Sequence, residues 1–474
     1  MRRILSGLLA LLCCLTMSFP ALAEVAFLPT IDGWELDAIP LELTLSADVT
    51  AYAPFGEDRL PQLTSLMKHL SLRITRQPLM DETQSTVSVL VDGEEALSLS
   101  LQENDQIQMV QFSPIPDVTY IGDDPLALLL GTSSEPFTIC GLDGSEIAWL
   151  TEGEALVNVL EAILAPYLKS ETAIKTAIKD MGTARLKQDY TIPKDEAGSL
   201  TALLADACPD GRLKELISGL VFSGKQTLRV YRDEDHRPLR LEWTGHLGPD
   251  EDHLRNVTLT WRMRRDDTAY RDEISLNAPA LKGTDNNKLT WSCAIAPDKK
   301  TGSMVLSGSL SYTRTANKQK TTLTGEFKLT AAKDGYNTRL TGTATIKRQL
   351  PGEDSAVGCT FEPDLLVWGG SESPAVDGTL TVSSLSGKKT LDQATVTLSL
   401  RRIPYASGPL RQQTVDLTAL DSKALEATRQ QVNTAIASAF LRRLVQLPRE
   451  DLDYLFMDLP EETVQTLISV VQSD

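Results

Sequence analysis

Hydrophobic and polar residues alternate with a period of two along most of the second half of the chain. Leu239, Leu241 and Trp243 are separated by polar residues, and the same alternation recurs in about ten segments between residues 224 and 402. Strands with this pattern bury one face and expose the other, which is typical of antiparallel sheets. The pattern therefore predicts a large antiparallel β-meander.

A second sheet-forming region precedes residue 150. Apolar residues alternate from Val87 to Val91 and again from Leu97 to Leu101, on either side of Asp92-Gly93. An Asp-Gly pair favours a type I′ turn, so these segments predict a β-hairpin.

Apolar residues at helical spacing predict helices between and after the sheet-forming regions. Pro61 to Leu70 forms a short one. Thr151 and Glu154 make a capping box for a second, whose apolar stripe continues through Ile174, Ile178 and Met181 to Gly182. The remaining predicted helices occupy residues 200–220, divided at Pro209-Asp210-Gly211, residues 425–447, and a final segment after Asp458.

These elements predict the α+β class, with a large antiparallel meander as an open sheet or half-barrel. Helices cover its apolar face, and a smaller N-terminal sheet region stands beside it. The chain divides into a signal peptide (1–23), an N-terminal sheet-containing region (24–150), a helical segment (151–222), the meander (223–403) and C-terminal helices (404–474).

Turn positions give a register for the centre of the meander. If Ala316-Asn317 and Asp334-Gly335 are the two-residue turns, then Gly308 faces Gly325, and Gly325 faces Ala344. A row with almost no side chains either bends the sheet, accepts a packed helix, or lets a ligand lie against the backbone. Trp243, Trp261 and Trp291 alternate with polar residues on the same face, where they pack in the core or stack on a ligand. The candidate ligand-binding residues are Gly308, Gly325, Ala344, Trp243, Trp261 and Trp291.

The N-terminus has the features of an export signal. Arg2 and Arg3 precede an apolar run, and Ala21-Leu22-Ala23 supplies the small residues that a signal peptidase accepts. We therefore expect a secreted or extracytoplasmic protein of the cell envelope, cleaved near Ala23, with no integral membrane segment after cleavage, because no later stretch reaches about 20 apolar residues. The net charge of −18 argues against a nucleic-acid partner.

Four cysteines follow the predicted cleavage site: Cys140, Cys208, Cys293 and Cys359. Export permits disulfides among them, whereas the apolar position of Cys293 fits a buried thiol equally well. They lack the spacing of a zinc site, and no cofactor or metal site is predicted.

Two sets of residues suggest chemistry. Ser65-x-x-Lys68, Ser275-x-Asn277 and Lys300-Thr301-Gly302 occur in the order used by penicillin-binding proteins and serine β-lactamases, and resemble that family by motif. The resemblance implies a serine enzyme using Ser65 and Lys68. The intervals are short, and Lys300 falls at the predicted tip of a hairpin, so a helical serine and a turn lysine are the preferred interpretation of the motifs.

Residues 233–236 and 250–253 each read Asp-Glu-Asp-His, a composition that suits cation ligands. They fall in successive turns of the meander, at opposite ends of a strand, so a shared site is not expected. Each tetrad reads as a solvated turn.

The predicted arrangement of helices leading into a helix-covered antiparallel meander resembles the half-barrel lipoprotein carriers of the LolA and LppX kind. The resemblance spans residues 200–402, rests on architecture, and implies a hydrophobic cavity between sheet and helices. We therefore predict a non-enzymatic binding or structural protein of the bacterial envelope, whose partner is a hydrophobic ligand such as a lipid, or another envelope protein.

Overall fold

The strands form a single sheet in a computed structural model of the chain. The structure describes residues 39–52, 64–79, 83–103, 108–130, 153–208, 211–266, 269–369, 373–405, 413–448 and 451. The predicted signal peptide, Cys140 and the predicted final helix lie outside these residues.

Twenty strands occur in the described residues. They are β1 (Leu41–Tyr52), β2 (Leu70–Pro78), β3 (Thr83–Val91), β4 (Glu94–Glu103), β5 (Gln108–Phe112), β6 (Val118–Gly122), β7 (Leu168–Ile178), β8 (Gly182–Ile192), β9 (Val221–Arg232), β10 (Pro238–Gly248), β11 (Arg255–Asp266), β12 (Ala269–Pro279), β13 (Asn286–Pro297), β14 (Met304–Ala316), β15 (Gln319–Asp334), β16 (Asn337–Gln349), β17 (Val357–Trp368), β18 (Ala375–Ser386), β19 (Lys389–Arg402) and β20 (Gln413–Asp416).

The described residues also contain α-helices and two 3₁₀ turns. The helices are α1 (Pro125–Leu130), α2 (Gly153–Leu164), α3 (Ser199–Ala207), α4 (Arg212–Ser218) and α5 (Ser422–Leu444), and the 3₁₀ turns are Ala165–Tyr167 and Leu417–Ala419. Residues 64–69 are helical as well, as the apolar spacing of residues 61–70 predicts.

The strand order follows the chain except at two pairings between strands far apart in the sequence, β1 with β19 and β6 with β20. From one edge, β7 to β19 lie in sequence order, β1 pairs with β19, and β1 to β6 continue to β20 at the other edge. Every pairing is antiparallel except that of β6 with β20, so the predicted antiparallel meander is confirmed. The N-terminal strands extend the meander, because β1 and β19 are joined from Leu41–Arg402 to Tyr52–Asp392.

The predicted α+β class, with helices over the apolar face of the meander, is wrong: the chain is mainly β. Helix α5 packs on α1 and β4, where Val432 joins Phe112 and Tyr120 of the N-terminal strands. Helices α2 and α3 cover the apolar face at β8–β11. The hydrophobic clusters of β12–β18 consist of strand residues alone, so the centre of the sheet buries its apolar side chains against one another.

The stripe that was predicted to continue as a helix to Gly182 instead forms the hairpin β7–β8. Helix α2 ends at Leu164, Pro166 lies in the 3₁₀ turn, and β7 begins at Leu168. Ile174 and Ile178 have a spacing that fits either one helix face or one strand face, and a proline just upstream favours a new element. The pair of helices divided near Pro209 is confirmed as α3 and α4.

Helix α2 is fixed to the sheet by a buried ion pair. Arg232 of β9 binds Glu161 of α2, and the two side chains are 10% and 15% exposed. Burial, reinforced by the charge of Glu161, raises the pKa of Tyr190 to about 12. The phenol of Tyr190 therefore stays protonated beside this pair well above neutral pH.

The hairpins at the centre of the meander turn one residue later than predicted. β14 and β15 join through Asn317-Lys318, whose φ angles of 51° and 64° fit a type I′ turn, and β15 and β16 join through Gly335-Tyr336. A one-residue shift of a turn moves the pairing by two residues and keeps each side chain on its face. Gly308 therefore faces Phe327, and the predicted row of Gly308, Gly325 and Ala344 is wrong. The Asp92-Gly93 hairpin has the predicted turn, with Val87 facing Leu99 and Val89 facing Leu97.

Candidate ligand groove on the polar face of the sheet

One apolar row crosses the centre of the sheet on one face, and the two neighbouring rows, one on each side of it, are polar and lie on the other face. The apolar row, defined by directly opposed residues, contains Cys293, Gly308, Phe327, Ala344, Phe361 and Val382. On the opposite face, the first polar row contains Arg271, Ala294, Ser307, Lys328 and Thr343. The second polar row contains Glu273, Ser292, Ser309, Glu326 and Thr345.

A groove of about 680 Å³ lies on the polar face and follows these two rows. It is lined by residues of β12 to β16. Nine belong to the polar rows, namely Arg271, Ser292, Ala294, Ser307, Ser309, Glu326, Lys328, Thr343 and Thr345, and three belong to the apolar row, namely Cys293, Gly308 and Phe327. Small side chains on β13 and β14 leave a depression, and the long side chains of β12 and β15 form its sides. The groove thus follows from the sizes of neighbouring side chains in two cross-strand rows.

The apolar side beneath the groove is closed by Phe327. A Cβ atom added to Gly308 would lie 2.3 Å from Cζ of Phe327 and 2.2 Å from the carbonyl oxygen of Ser292. The ring therefore occupies the space that a side chain at position 308 would need. Phe327 packs with the cluster of Cys293, Leu306 and Leu329, so the face that was predicted to be bare is filled.

Hydroxyl groups and charges provide the polar contacts of the groove. The Oγ atoms of Ser292 and Ser309 are 2.9 Å apart, and the backbone N–H of Ser309 donates to Oγ of Ser292 at 3.2 Å. The Arg271 Nε–H donates to Glu273 at 3.0 Å, and the guanidinium of Arg271 lies 3.7 Å from Asp180.

Glu326 and Lys328 are exposed on β15 and form no ion pair with another described residue. Arg271 and Lys328 stand three inter-strand spacings apart, about 14 Å along the sheet. The floor between these cations carries Ser307 and the small Ala294. This arrangement suits a ligand that both donates and accepts hydrogen bonds over an extended length.

The predicted ligand-binding glycines and alanine do not act together. Gly308 contributes to the groove floor, whereas Gly325 faces Leu310 and Ile346 in a different row. Ala344 is buried against Phe361.

The three tryptophans pack in the apolar clusters. Trp243 stacks on Phe222 with ring centroids 5.7 Å apart, and its indole N–H donates to Gln226. Trp261 is 7% exposed, and Trp291 packs against the Cys293 cluster. Cys293 is buried on the apolar face as predicted.

The serine-enzyme motifs are not brought together. Ser65 lies in the helical turn before β2, and strands β1 and β13–β19 separate β2 from β12 in the sheet. Ser275 faces Thr290, from which β13 runs another seven residues, about 23 Å, before it reaches the turn that contains Lys300. Lys300 lies at a hairpin tip, as expected.

The two Asp-Glu-Asp-His tetrads form separate turns at opposite ends of β10, as predicted. In the second turn, Asp250 lies 2.7 Å from Nδ1 of His253, a hydrogen bond that lowers the pKa of Asp250. Within the described residues, no group of three or more His, Cys, Asp or Glu side chains is placed to hold a metal ion.

A histidine without notable sequence neighbours connects three segments. Nδ1 of His69 lies 2.5 Å from Asp92, and Nε2 lies 3.3 Å from Asp451, which is almost completely buried. This contact fixes residue 451 to the N-terminal strands. Sequence spacing does not reveal it, because the three residues meet only in the folded chain.

The groove residues that sequence reasoning missed are Arg271, Ser292, Ser307, Ser309, Glu326, Lys328, Thr343 and Thr345. Their alternation places them on the polar face, which was interpreted as solvated. With the correct register, the small residues of β13 and β14 between charged residues of β12 and β15 would have indicated the depression.

No family model and no curated protein matches the sequence. The chain is similar to the solved structures of OpdQ from Pseudomonas aeruginosa (TM-score 0.28, 5% identity, 78% of this chain and 97% of that one). It is also similar to OmpT, expressed in the outer membrane, from Vibrio cholerae (TM-score 0.25, 6% identity, 77% and 96%). OccK3 from P. aeruginosa gives a TM-score of 0.26 at 7% identity over 80% of this chain and 98% of that one. With TM-scores below 0.5, these similarities carry no argument about what this chain does.

The matched structures correct one prediction about the membrane. They include an outer-membrane protein, whereas the sequence predicted no integral membrane segment after cleavage. Among the helices of the described residues, none is both long and apolar enough to cross a bilayer.

Proposed function

We propose that the chain is an extracytoplasmic, non-enzymatic binding protein of the cell envelope that holds a glycan chain in the groove over β12–β16. The leader-like residues 1–23 support the compartment. The observation that carries the proposal is the groove itself, in which five hydroxyl side chains lie among the side chains of Arg271, Glu326 and Lys328.

A glycan fits this chemistry because each of its hydroxyl groups both donates and accepts hydrogen bonds, as the serine and threonine side chains do. The groove lies over the middle of paired strands, where backbone N–H and C=O groups are already bonded within the sheet. Recognition therefore depends on side chains, and an added peptide strand would find no free backbone edge there.

The test is calorimetric titration with N-acetylglucosamine oligomers and with soluble peptidoglycan fragments. Ser309→Phe fills the groove, and we expect it to weaken binding at least about tenfold, since it removes hydrogen bonds and blocks the floor. Ser311→Phe is the matched control, because Ser311 is exposed on the same face of the same strand, one row beyond the groove. The proposal fails if neither probe binds, or if both variants weaken binding equally.

A second candidate, a hydrophobic ligand, is favoured by a row on the opposite face. Ile274, Trp291, Leu310 and Ile346 flank Gly325 in one cross-strand row, and these four apolar side chains are only half-buried. This row supports the predicted binding of a hydrophobic ligand such as a lipid. Lipid found by mass spectrometry in the purified protein, and lost in Leu310→Arg, would favour this candidate. If no lipid is found and a fluorescent fatty acid gives no response, this candidate is excluded.

A further inference from the structure

The sheet has an exposed edge at β7. Within the described residues, β7 pairs only with β8, so the backbone N–H and C=O groups along its other side face outward. Nine of its eleven residues are exposed, and only Ile174 and Ile178 are not. An exposed strand edge is a template for pairing with another strand.

The charged residues of β7 are spaced so that two antiparallel copies of the strand would place opposite charges across from each other. If two copies of β7 pair in antiparallel fashion around a two-fold axis at Ala173, all eleven residues of each strand have a partner. Glu171 of each copy then faces Lys175 of the other, which gives two opposite-charge pairs. Moving the axis to Thr172 would place Lys169 opposite Lys175 and create two repulsive pairs.

The side chains concerned are available for such contacts. Glu171 and Lys175 are both exposed; Glu171 accepts one hydrogen bond from Gln188 at 3.0 Å, and Lys175 forms no ion pair with a described residue. Lys169 would face Ala177, so that its charge has no opposing partner. The same patch on both copies satisfies the requirement for a closed two-fold interface.

We propose that β7 pairs with β7 of a second copy of this chain around a two-fold axis at Ala173, which joins the two sheets edge to edge. The pairing supplies partners for the outward backbone groups of β7. No residue of β7 lines the groove over β12–β16, and the pairing does not depend on the proposed function.

Two register shifts in β7 work against edge pairing, and the outcome that they favour is a monomer. The register with β8 shifts between Leu168 and Ser170 and again between Ala173 and Thr176. Such bulges increase the local twist and are one way in which sheets keep their edges unpaired. An edge protected in this way would leave the chain monomeric.

Sedimentation equilibrium of the full chain measures the dimer dissociation constant. Lys175→Glu places like charges opposite each other twice, and we expect dimerisation to weaken about tenfold or more. Glu171→Lys should do the same, and the double variant Glu171→Lys/Lys175→Glu should restore dimerisation. Lys169→Glu is the matched control, since it makes the same change in charge without an opposing partner.

A crosslink tests the position of the axis. Two copies of Ala173→Cys would face each other across the axis, at a Cα separation of about 4.5–5.5 Å, which a disulfide can bridge. We expect a crosslinked dimer under mild oxidation that the unmodified chain does not give. The proposal is overturned if the chain is monomeric, if the double variant does not recover, or if no crosslink forms.

Discussion

Gly308 and Gly325 were expected to be equivalent members of one bare row, yet the structure predicts opposite responses to alanine. A Cβ at Gly308 would meet the Ser292 carbonyl oxygen at 2.2 Å and the Phe327 ring at 2.3 Å. A Cβ at Gly325 would meet Cβ of Leu310 at 3.5 Å and the Thr345 carbonyl oxygen at 3.6 Å, which are ordinary contacts. The two substitutions add the same methyl group to adjacent strands.

The expected changes in the free energy of unfolding differ between the two variants. Overpacking costs about 1–3 kcal/mol, and Gly308→Ala should fall in the upper part of that range, because the carbonyl of Ser292 is held in the sheet and cannot rotate away. Gly325→Ala should leave the free energy of unfolding unchanged or raise it by up to about 1 kcal/mol, because alanine loses less backbone entropy than glycine on folding. The two variants should therefore differ by about 2–4 kcal/mol.

Urea denaturation monitored by tryptophan fluorescence measures both free energies. The double variant Gly308→Ala/Phe327→Ala should cost less than the sum of the two single variants, since the added methyl group enters space that the ring leaves, while the contact with Ser292 remains. Equal stability of the two alanine variants would refute the register and the position of Phe327. An additive double variant would refute the direct contact.

Three further predictions concern Tyr190 of β8 and contacts of helices α2 and α5. Between pH 10 and 12, Tyr190 ionises in the unfolded chain but stays protonated in the folded one, so the free energy of unfolding should fall by up to about 3 kcal/mol across that window. Tyr190→Phe should remove this loss, whereas Tyr336→Phe, at a fully exposed residue, should not. Glu161→Ala should lower the free energy of unfolding by about 3 kcal/mol because it leaves Arg232 buried without its partner, and an effect below about 1 kcal/mol in chemical denaturation would contradict the burial of this pair. Asp421→Ala should cost about 1 kcal/mol, because the Asp421 carboxylate accepts the Ala424 N–H at the start of α5, and an unchanged urea midpoint would exclude this cap.

The helix assignments show where local patterns suffice. The stripe from Leu425 to Leu447 correctly predicts α5, because a long run of apolar residues at helical spacing has no equivalent in a strand. The same reasoning failed at Ile174 and Ile178, where a spacing of four residues fits both structures. There the extended conformation is favoured by pairing with β8, which the local sequence does not encode.

The groove was missed for a related reason. Ser292, Ser309 and Glu326 occupy polar positions on separate strands, and only their register makes them neighbours. The register depended on whether each turn begins at Ala316 or Asn317, and at Asp334 or Gly335. A choice of one residue at each turn determined whether Gly308 met another glycine or the ring of Phe327.

The sequence by itself determined which segments of the meander are strands and which side chains share a face, because alternation is a property of consecutive residues. Only the tertiary structure decided that the N-terminal strands join the meander, through contacts such as that of Thr50 with Gln393, 343 residues apart. Only it decided that α5 packs on the N-terminal strands and that the polar face forms the groove. Such pairings depend on competition among all exposed edges and apolar faces of the chain, and no local pattern records its outcome.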